Sequence, residues 1–145
     1  MMSATTASRV ELKMPGRPEF ISVARLAVAA VAARMGFDYD DIEDLKVATG
    51  EALTNAIQDA QSRGVAAGED IVVVCALGER ELVIEVSDKG SGFDPDRRRQ
   101  ALEQDELQEG GLGLLLIEAL CDKVEFETRP GGGTLVRMTK RLAGS

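Results

Sequence analysis

The chain of 145 residues contains no histidine. That absence removes the Ser-His-Asp triad, histidine-ligated zinc, a histidine general base and any phosphohistidine carried by the chain itself. Tryptophan is missing too, and Tyr39 is the single tyrosine, so intrinsic fluorescence gives little handle on ligand binding. Cysteine is scarce: Cys75 and Cys121 lie far apart in apolar runs, which reads as reduced, buried thiols of a cytoplasmic protein and not as a disulfide framework. Long hydrophobic runs are absent as well. The most apolar stretch near the N-terminus, Phe20 to Phe37, is broken by Arg25 and Arg34 and is too short and Ala-rich to span a bilayer. Met1 to Ser8 lacks the basic start of a signal peptide and reads as a disordered tail. Positive charge is in deficit, with 17 Lys and Arg against 25 Asp and Glu, a net charge of −8. A nucleic-acid binder needs a basic face to displace counterions, so that class is disfavoured. The expectation is a soluble, cytoplasmic protein with no membrane contact.

What is present fits one domain over residues 9–145, long enough to bury roughly 70% of its unfolded surface without staples. Val10-Glu-Leu-Lys-Met14 alternates apolar and charged residues, as a strand with one wet face does. Pro15, Gly16 and Pro18 end it. From Glu19 to Met35, Phe20, Val23, Leu26, Ala27, Ala30 and Val31 recur at helical spacing, and Gly36 stops the helix. Asp38, Asp40 and Asp41 suit the start of a second helix, reaching about Arg63 with Ile42, Leu45, Ala48, Ala52, Ala56 and Ile57 on one side. Ile71–Leu77 and Glu81–Ser87 form a hairpin turning at Gly78-Glu79-Arg80, with Leu82, Ile84 and Val86 on one face. After a glycine-bearing loop, Asp94 before Pro95 opens a polar segment to Glu109. A helix over Leu114–Leu120 follows, then strands Lys123–Thr128 and Thr134–Arg141 joined by Arg129-Pro-Gly-Gly-Gly133. The order β-α-α-β-β-α-β-β, with several strands polar on one face, predicts an α+β two-layer sandwich. Its sheet would be mixed but mostly antiparallel, with helices on one face.

Three places carry chemistry. Glu51 and Asn55, four residues apart, share a helix face; a carboxylate and a neutral amide oxygen there suit Mg²⁺ and a hydroxyl or water, or form an incidental polar pair on a solvated face. Asp88-x-Gly90-x-Gly92 leaves a strand end, where glycines let backbone approach a flat ring and a carboxylate accepts from an exocyclic amine. A plain polar turn has the same pattern, and no GK[ST] follows to make a P-loop. Gly110-Gly111-Leu112-Gly113 opens a helix whose free N–H groups can cradle phosphate, or is simply a loop before a core helix. Amine acceptor, base, metal ligand and phosphate cradle together describe a purine nucleotide site.

Glu51-Ala-Leu-Thr-Asn-Ala-Ile57 resembles the N-box of the GHKL (Bergerat-fold) ATPases. Ser87-Asp-Lys-Gly-Ser-Gly-Phe93 is similar to their adenine-binding box, and Gly110–Ile117 to their second glycine box. The Glu-Ala-x-Thr-Asn-Ala form and small size most resemble the anti-sigma factor serine/threonine kinases of the RsbW and SpoIIAB type, over roughly Val10 to Leu142. The resemblance implies that Asp88 binds the adenine amino group with Thr134 nearby, Asn55 ligates Mg²⁺, and Glu51 is the base toward a serine hydroxyl. Gly90, Gly92, Gly110, Gly111, Leu112 and Gly113 would shape the pocket for ATP or ADP. It implies a homodimer that silences a sigma factor and phosphorylates a STAS-type anti-anti-sigma protein. The edge strand Val10–Met14 or a helix face would make the dimer contact. Two rival readings are a nucleotide-gated adaptor without transfer and a detached ATPase domain of a histidine kinase. Asp59 departs from the family, standing where many relatives carry histidine. Arg97-Arg98-Arg99 reads as a solvated charge run or as cations reaching the γ-phosphate. Arg25 and the alanines of the first helix read as core packing or a partner surface.

Overall fold

In the computed structural model, which describes residues 8–62, 70–88, 109–128 and 134–143, the N-terminal alternation becomes strand β1, Ser8–Pro15. It runs antiparallel to β2, Asp70–Leu77, with Val10 opposite Cys75 and Met14 opposite Ile71. β3, Glu81–Asp88, returns alongside β2, and the Gly78 N–H donates to the Glu81 carbonyl at 2.9 Å to close the turn. β4, Lys123–Thr128, takes the far edge, and β5, Thr134–Arg141, comes back between β4 and β3. The sheet order is β1-β2-β3-β5-β4. Among the described residues every neighbouring pair is antiparallel, so the mixed sheet expected from the sequence is not seen. The reason is topological: β4 crosses to the outer edge, leaving β5 to fill the gap in the opposite sense to both neighbours.

A 3₁₀ turn at Pro18–Phe20 leads into helix α1, Ile21–Met35. Gly36 ends α1 in the left-handed region at φ 99°, and its N–H reaches the carbonyls of Ala32 and Ala33. Helix α2, Tyr39–Ser62, starts on a true cap: the Asp41 N–H donates to Asp38 Oδ1 at 2.8 Å. Helix α3 spans Glu109–Leu120, so Gly110, Gly111 and Gly113 open the helix and lie within it, ahead of the Leu114–Leu120 stretch expected from the apolar run. Glycine disfavours a helix interior, but here tertiary packing carries the helix through.

The helices lie on one side of the sheet, where Ile71, Val73, Cys75, Leu82, Ile84, Val86 and Met138 join Ala24, Val28, Ala32, Leu45, Leu53 and Ile117 in one core. On α2 the buried side is the expected one, through Leu45, Ala48, Ala52 and Ile57. On α1 it is not. Ala24, Val28 and Ala32 are fully buried, whereas Val23 and Leu26 face outward. The opposite sheet face carries an ion-pair cluster in which Arg137 Nε donates to Glu85 Oε2 at 2.8 Å, with Glu125 and Glu127 nearby. That hydrogen bond holds the Arg137 guanidinium protonated above its ordinary range. The Asp94–Pro95 helix start, the polar segment to residue 108, Gly90, Gly92, the Arg97–Arg99 run, residues 1–7, Arg63 and the 129–133 turn lie outside the described residues.

Candidate functional site

Asp88 and Thr134 meet because register requires it. Ser87 pairs with Leu135, so the last residue of β3 and the first of β5 sit side by side at one end of the sheet. Thr134 is nearly fully buried, and its hydroxyl donates to Asp88 Oδ2 at 2.8 Å. A β-branched side chain has few rotamers, so this bond fixes the direction of the carboxylate.

These two residues line a cleft of about 330 Å³, a volume that takes in the open space at its mouth. Val86 and Val136 supply the sheet wall, Ala52, Asn55 and Ala56 the α2 wall, Ile117 the α3 side, and Phe126 comes from β4. The lining is apolar, with Asp88, Thr134 and Asn55 as its polar groups. The chemistry of that lining, apolar walls with one carboxylate held by Thr134, suits contact with a flat heterocycle whose amine donates to Asp88. Alanines at 52 and 56 matter because any longer side chain would enter the slot.

Asn55, 5% exposed, joins the cleft to a second cluster. A Cβ built on Gly113 would stand 3.5 Å from Asn55 Oδ1 and 2.5 Å from Glu51 Oε2. Glu51, Asn55 and the early part of α3 therefore converge beside the cleft. Among the described residues no three His, Cys, Asp or Glu side chains gather as a closed metal cage. A cation held at Asn55 Oδ1 would complete its shell from phosphate and water, the habit of Mg²⁺. A neutral amide oxygen next to a helix start fits that ion and leaves the neighbouring Glu51 carboxylate free.

Asp88, Thr134 and Asn55 thus lie on one cleft, with Glu51 and Gly113 against Asn55. Gly110, Gly111 and Leu112 fall in the first turn of α3, where backbone N–H groups lack intrahelical partners. The cleft-lining roles of Ala52, Ala56, Ile117 and Phe126 were not anticipated. The two alanines flank Asn55 by three and one positions in the motif itself, which was a usable signal; Phe126 needed the β4 placement. Both cysteines are free and away from the site, and burial pushes each thiol up to about 11, a change opposed at Cys121 by Lys140.

An antiparallel sheet layered with helices on one face, and a carboxylate-ended slot opening beside a helix start, define an ATPase-type nucleotide-binding fold. The chain belongs to the histidine kinase-like ATPase domain family, whose model matches residues 14–140. It is 40% identical to the serine-protein kinase RsbW of Bacillus velezensis, over 97% of this chain and 90% of that protein. Identity to the serine-protein kinase RsbW of Bacillus subtilis is also 40%, over 95% and 88%. To that of Listeria monocytogenes it is 41%, over 96% and 90%. Among solved structures, the RsbU and RsbW domains of a Mycobacterium tuberculosis protein superpose with TM-score 0.66 at 23% identity, over 93% of this chain and 32% of that one. The SiaB–SiaC complex of Pseudomonas aeruginosa gives TM-score 0.67 at 15% identity, over 90% and 88%. At these identities both speak for the fold alone. No helix among the described residues is long and apolar enough to cross a membrane.

Proposed function

We propose that this chain is a cytoplasmic anti-sigma factor and serine kinase, acting as a homodimer. It binds and silences a sigma factor, and with Mg-ATP it phosphorylates a serine of a STAS-type anti-anti-sigma protein. The observation that carries the reading is the single cleft shared by Asp88, Thr134 and Asn55, with Glu51 beside Asn55. Asp88, aimed by Thr134, accepts from the exocyclic amine of adenine. Asn55 holds Mg²⁺, and Gly90, Gly92 and the first turn of α3, Gly110 to Leu112, enclose the phosphates. ATP supplies the γ-phosphoryl group and the metal neutralises its charge. Glu51 takes the proton as the serine oxygen bonds to phosphorus and the bond to the β-phosphate oxygen breaks, releasing ADP. Phosphoryl transfer of this kind depends chiefly on position and electrostatics, so a carboxylate base suffices without histidine.

Glu51→Gln tests this directly. Binding of a fluorescently labelled ATP should stay within about threefold, while phosphoserine formation on the STAS partner falls at least about 100-fold, as for loss of a general base. Retained transfer would overturn the base assignment. A product that is labile in acid would instead mean phosphohistidine and the histidine-kinase reading. Nucleotide binding by the unaltered protein with no transfer to any STAS partner would mean an adaptor.

A further inference from the structure

We propose that Gly113 is a positioning residue for Glu51, its missing side chain being the seat of the Glu51 carboxylate. The inference rests on the reading of Glu51 as the base and goes beyond it. Three reasons for a glycine can be separated. Conformation is the first, but among the described residues only Gly36 has a positive φ, so Gly113 adopts a backbone any residue accepts. A free N–H for phosphate is the second. Gly113 is the fifth residue of α3, past the first turn whose N–H groups lack helical partners, so its own N–H belongs to the helix ladder. Room is the third, and it remains. A Cβ at 113 would lie 2.5 Å from Glu51 Oε2, closer than a methyl group tolerates, while its 3.4 Å approach to Glu51 Cδ is an ordinary contact.

The obstructed atoms belong to the end of a flexible side chain, not to backbone. A methyl group at 113 therefore displaces the carboxylate and leaves the fold standing. Alanine is the better helix former, so the chain accepts a weaker helix at 113 in return for a fixed position of Glu51. Misplacing a reacting group by about 1 Å costs on the order of 100-fold in rate.

The test is a double-mutant cycle on the full chain with the serine-bearing STAS partner. Gly113→Ala should lower kcat by about 100-fold, with the ATP KM and the affinity for labelled ATP changed by less than about threefold. Glu51→Asp withdraws the carboxylate by one methylene, so in that background the same change at 113 should cost less than about threefold in kcat. Equal losses in both backgrounds, or a fall in nucleotide affinity as large as the fall in kcat, would overturn the proposal. Thermal unfolding gives a readout without turnover. In the Glu51→Ala background Gly113→Ala should raise Tm by about 2–4 °C, as relief of a helical glycine predicts, and by clearly less with Glu51 present. An identical rise in both would refute contact between the two residues. If Glu51→Gln keeps full transfer while the Tm cycle still shows coupling, the base assignment has failed and the seat has not.

Discussion

Thr134→Val replaces a hydroxyl by a methyl group of nearly the same shape, at a position only 4% exposed. The substitution leaves packing in place and removes one bond, the 2.8 Å donation to Asp88 Oδ2. A hydrogen bond to a charged group contributes about 1.5–3 kcal/mol. Asp88 is half-buried and water can take up part of the loss, so about 1–2 kcal/mol should remain. At about 1.4 kcal/mol per factor of ten, ATP affinity should fall by about 5–30-fold. The loss should also be selective. If Thr134 aims Asp88 at an amine, a nucleotide with a carbonyl oxygen in its place gains nothing from that aim. Titration with labelled ATP, displaced by unlabelled ATP or by inosine triphosphate, should show the preference for ATP shrinking by most of that factor. Thermal unfolding should move by no more than about 4–8 °C, at about 2–4 °C for each kcal/mol in a chain this size. ATP affinity within about twofold of the parent, or an equal loss for both nucleotides, would refute the assignment of the carboxylate to the base.

Two further perturbations address the cleft and the core. Ala56→Leu should fill the slot between α2 and the sheet that Val86 and Val136 wall off, abolishing labelled-ATP binding while the half-buried position keeps the Tm change small; unchanged affinity would place the base elsewhere. Burial raises Cys75 from 9.0 to about 11, so the native state holds that proton more tightly than the unfolded one. The stability this gives is complete below pH 9 and is lost as pH rises through about 11, by about 2–3 kcal/mol. Urea midpoints measured from pH 8 to 11 should show this alkaline decline in the parent and a flatter curve in Cys75→Ala; equal slopes would count against it.

The strands after α3 were legible to the residue, since Lys123–Thr128 and Thr134–Arg141 alternate cleanly and are bounded by turn residues. The Asp38 cap and the Gly36 stop were legible for the same local reason. The buried face of α1 was not. Nearly every residue of that helix is apolar, so periodicity cannot choose a face, and close approach of helices selected Ala24, Val28 and Ala32 over the larger Val23 and Leu26. Gly113 failed for a related reason: in the sequence it is one glycine among several, and only the packing of α3 on α2 shows what its missing methyl group leaves room for. Asp88, Asn55 and Glu51 could be named from motif spacing, but their meeting in one place depended on the β3–β5 register.

One residue outside the motifs holds the two helices of the site together at their other end. Lys140 on β5 reaches across to the last residue of α3, where its ammonium donates to the Leu120 carbonyl at 2.7 Å. It also lies 3.7 Å from Asp41 Oδ1 and 3.5 Å from Asp44 Oδ2 at the start of α2. Its side chain is 12% exposed, so this is a nearly dry cation at a helix C-terminus, where the dipole favours it. The clamp sits about 10 Å along each helix from the Glu51–Gly113 contact, seven residues at 1.5 Å each. Lys140→Met keeps the stem and removes the charge. It should cost about 2–3 kcal/mol, because a charged hydrogen bond is lost and the Leu120 carbonyl loses its donor. The carboxylates contribute less: neither is within hydrogen-bonding distance, and Asp44 is 39% exposed, so Asp41→Asn with Asp44→Asn should cost under about 1 kcal/mol. Urea unfolding of the two variants separates the contributions. If the paired asparagines destabilise as much as Lys140→Met, the clamp is an ion pair and not a helix-end hydrogen bond.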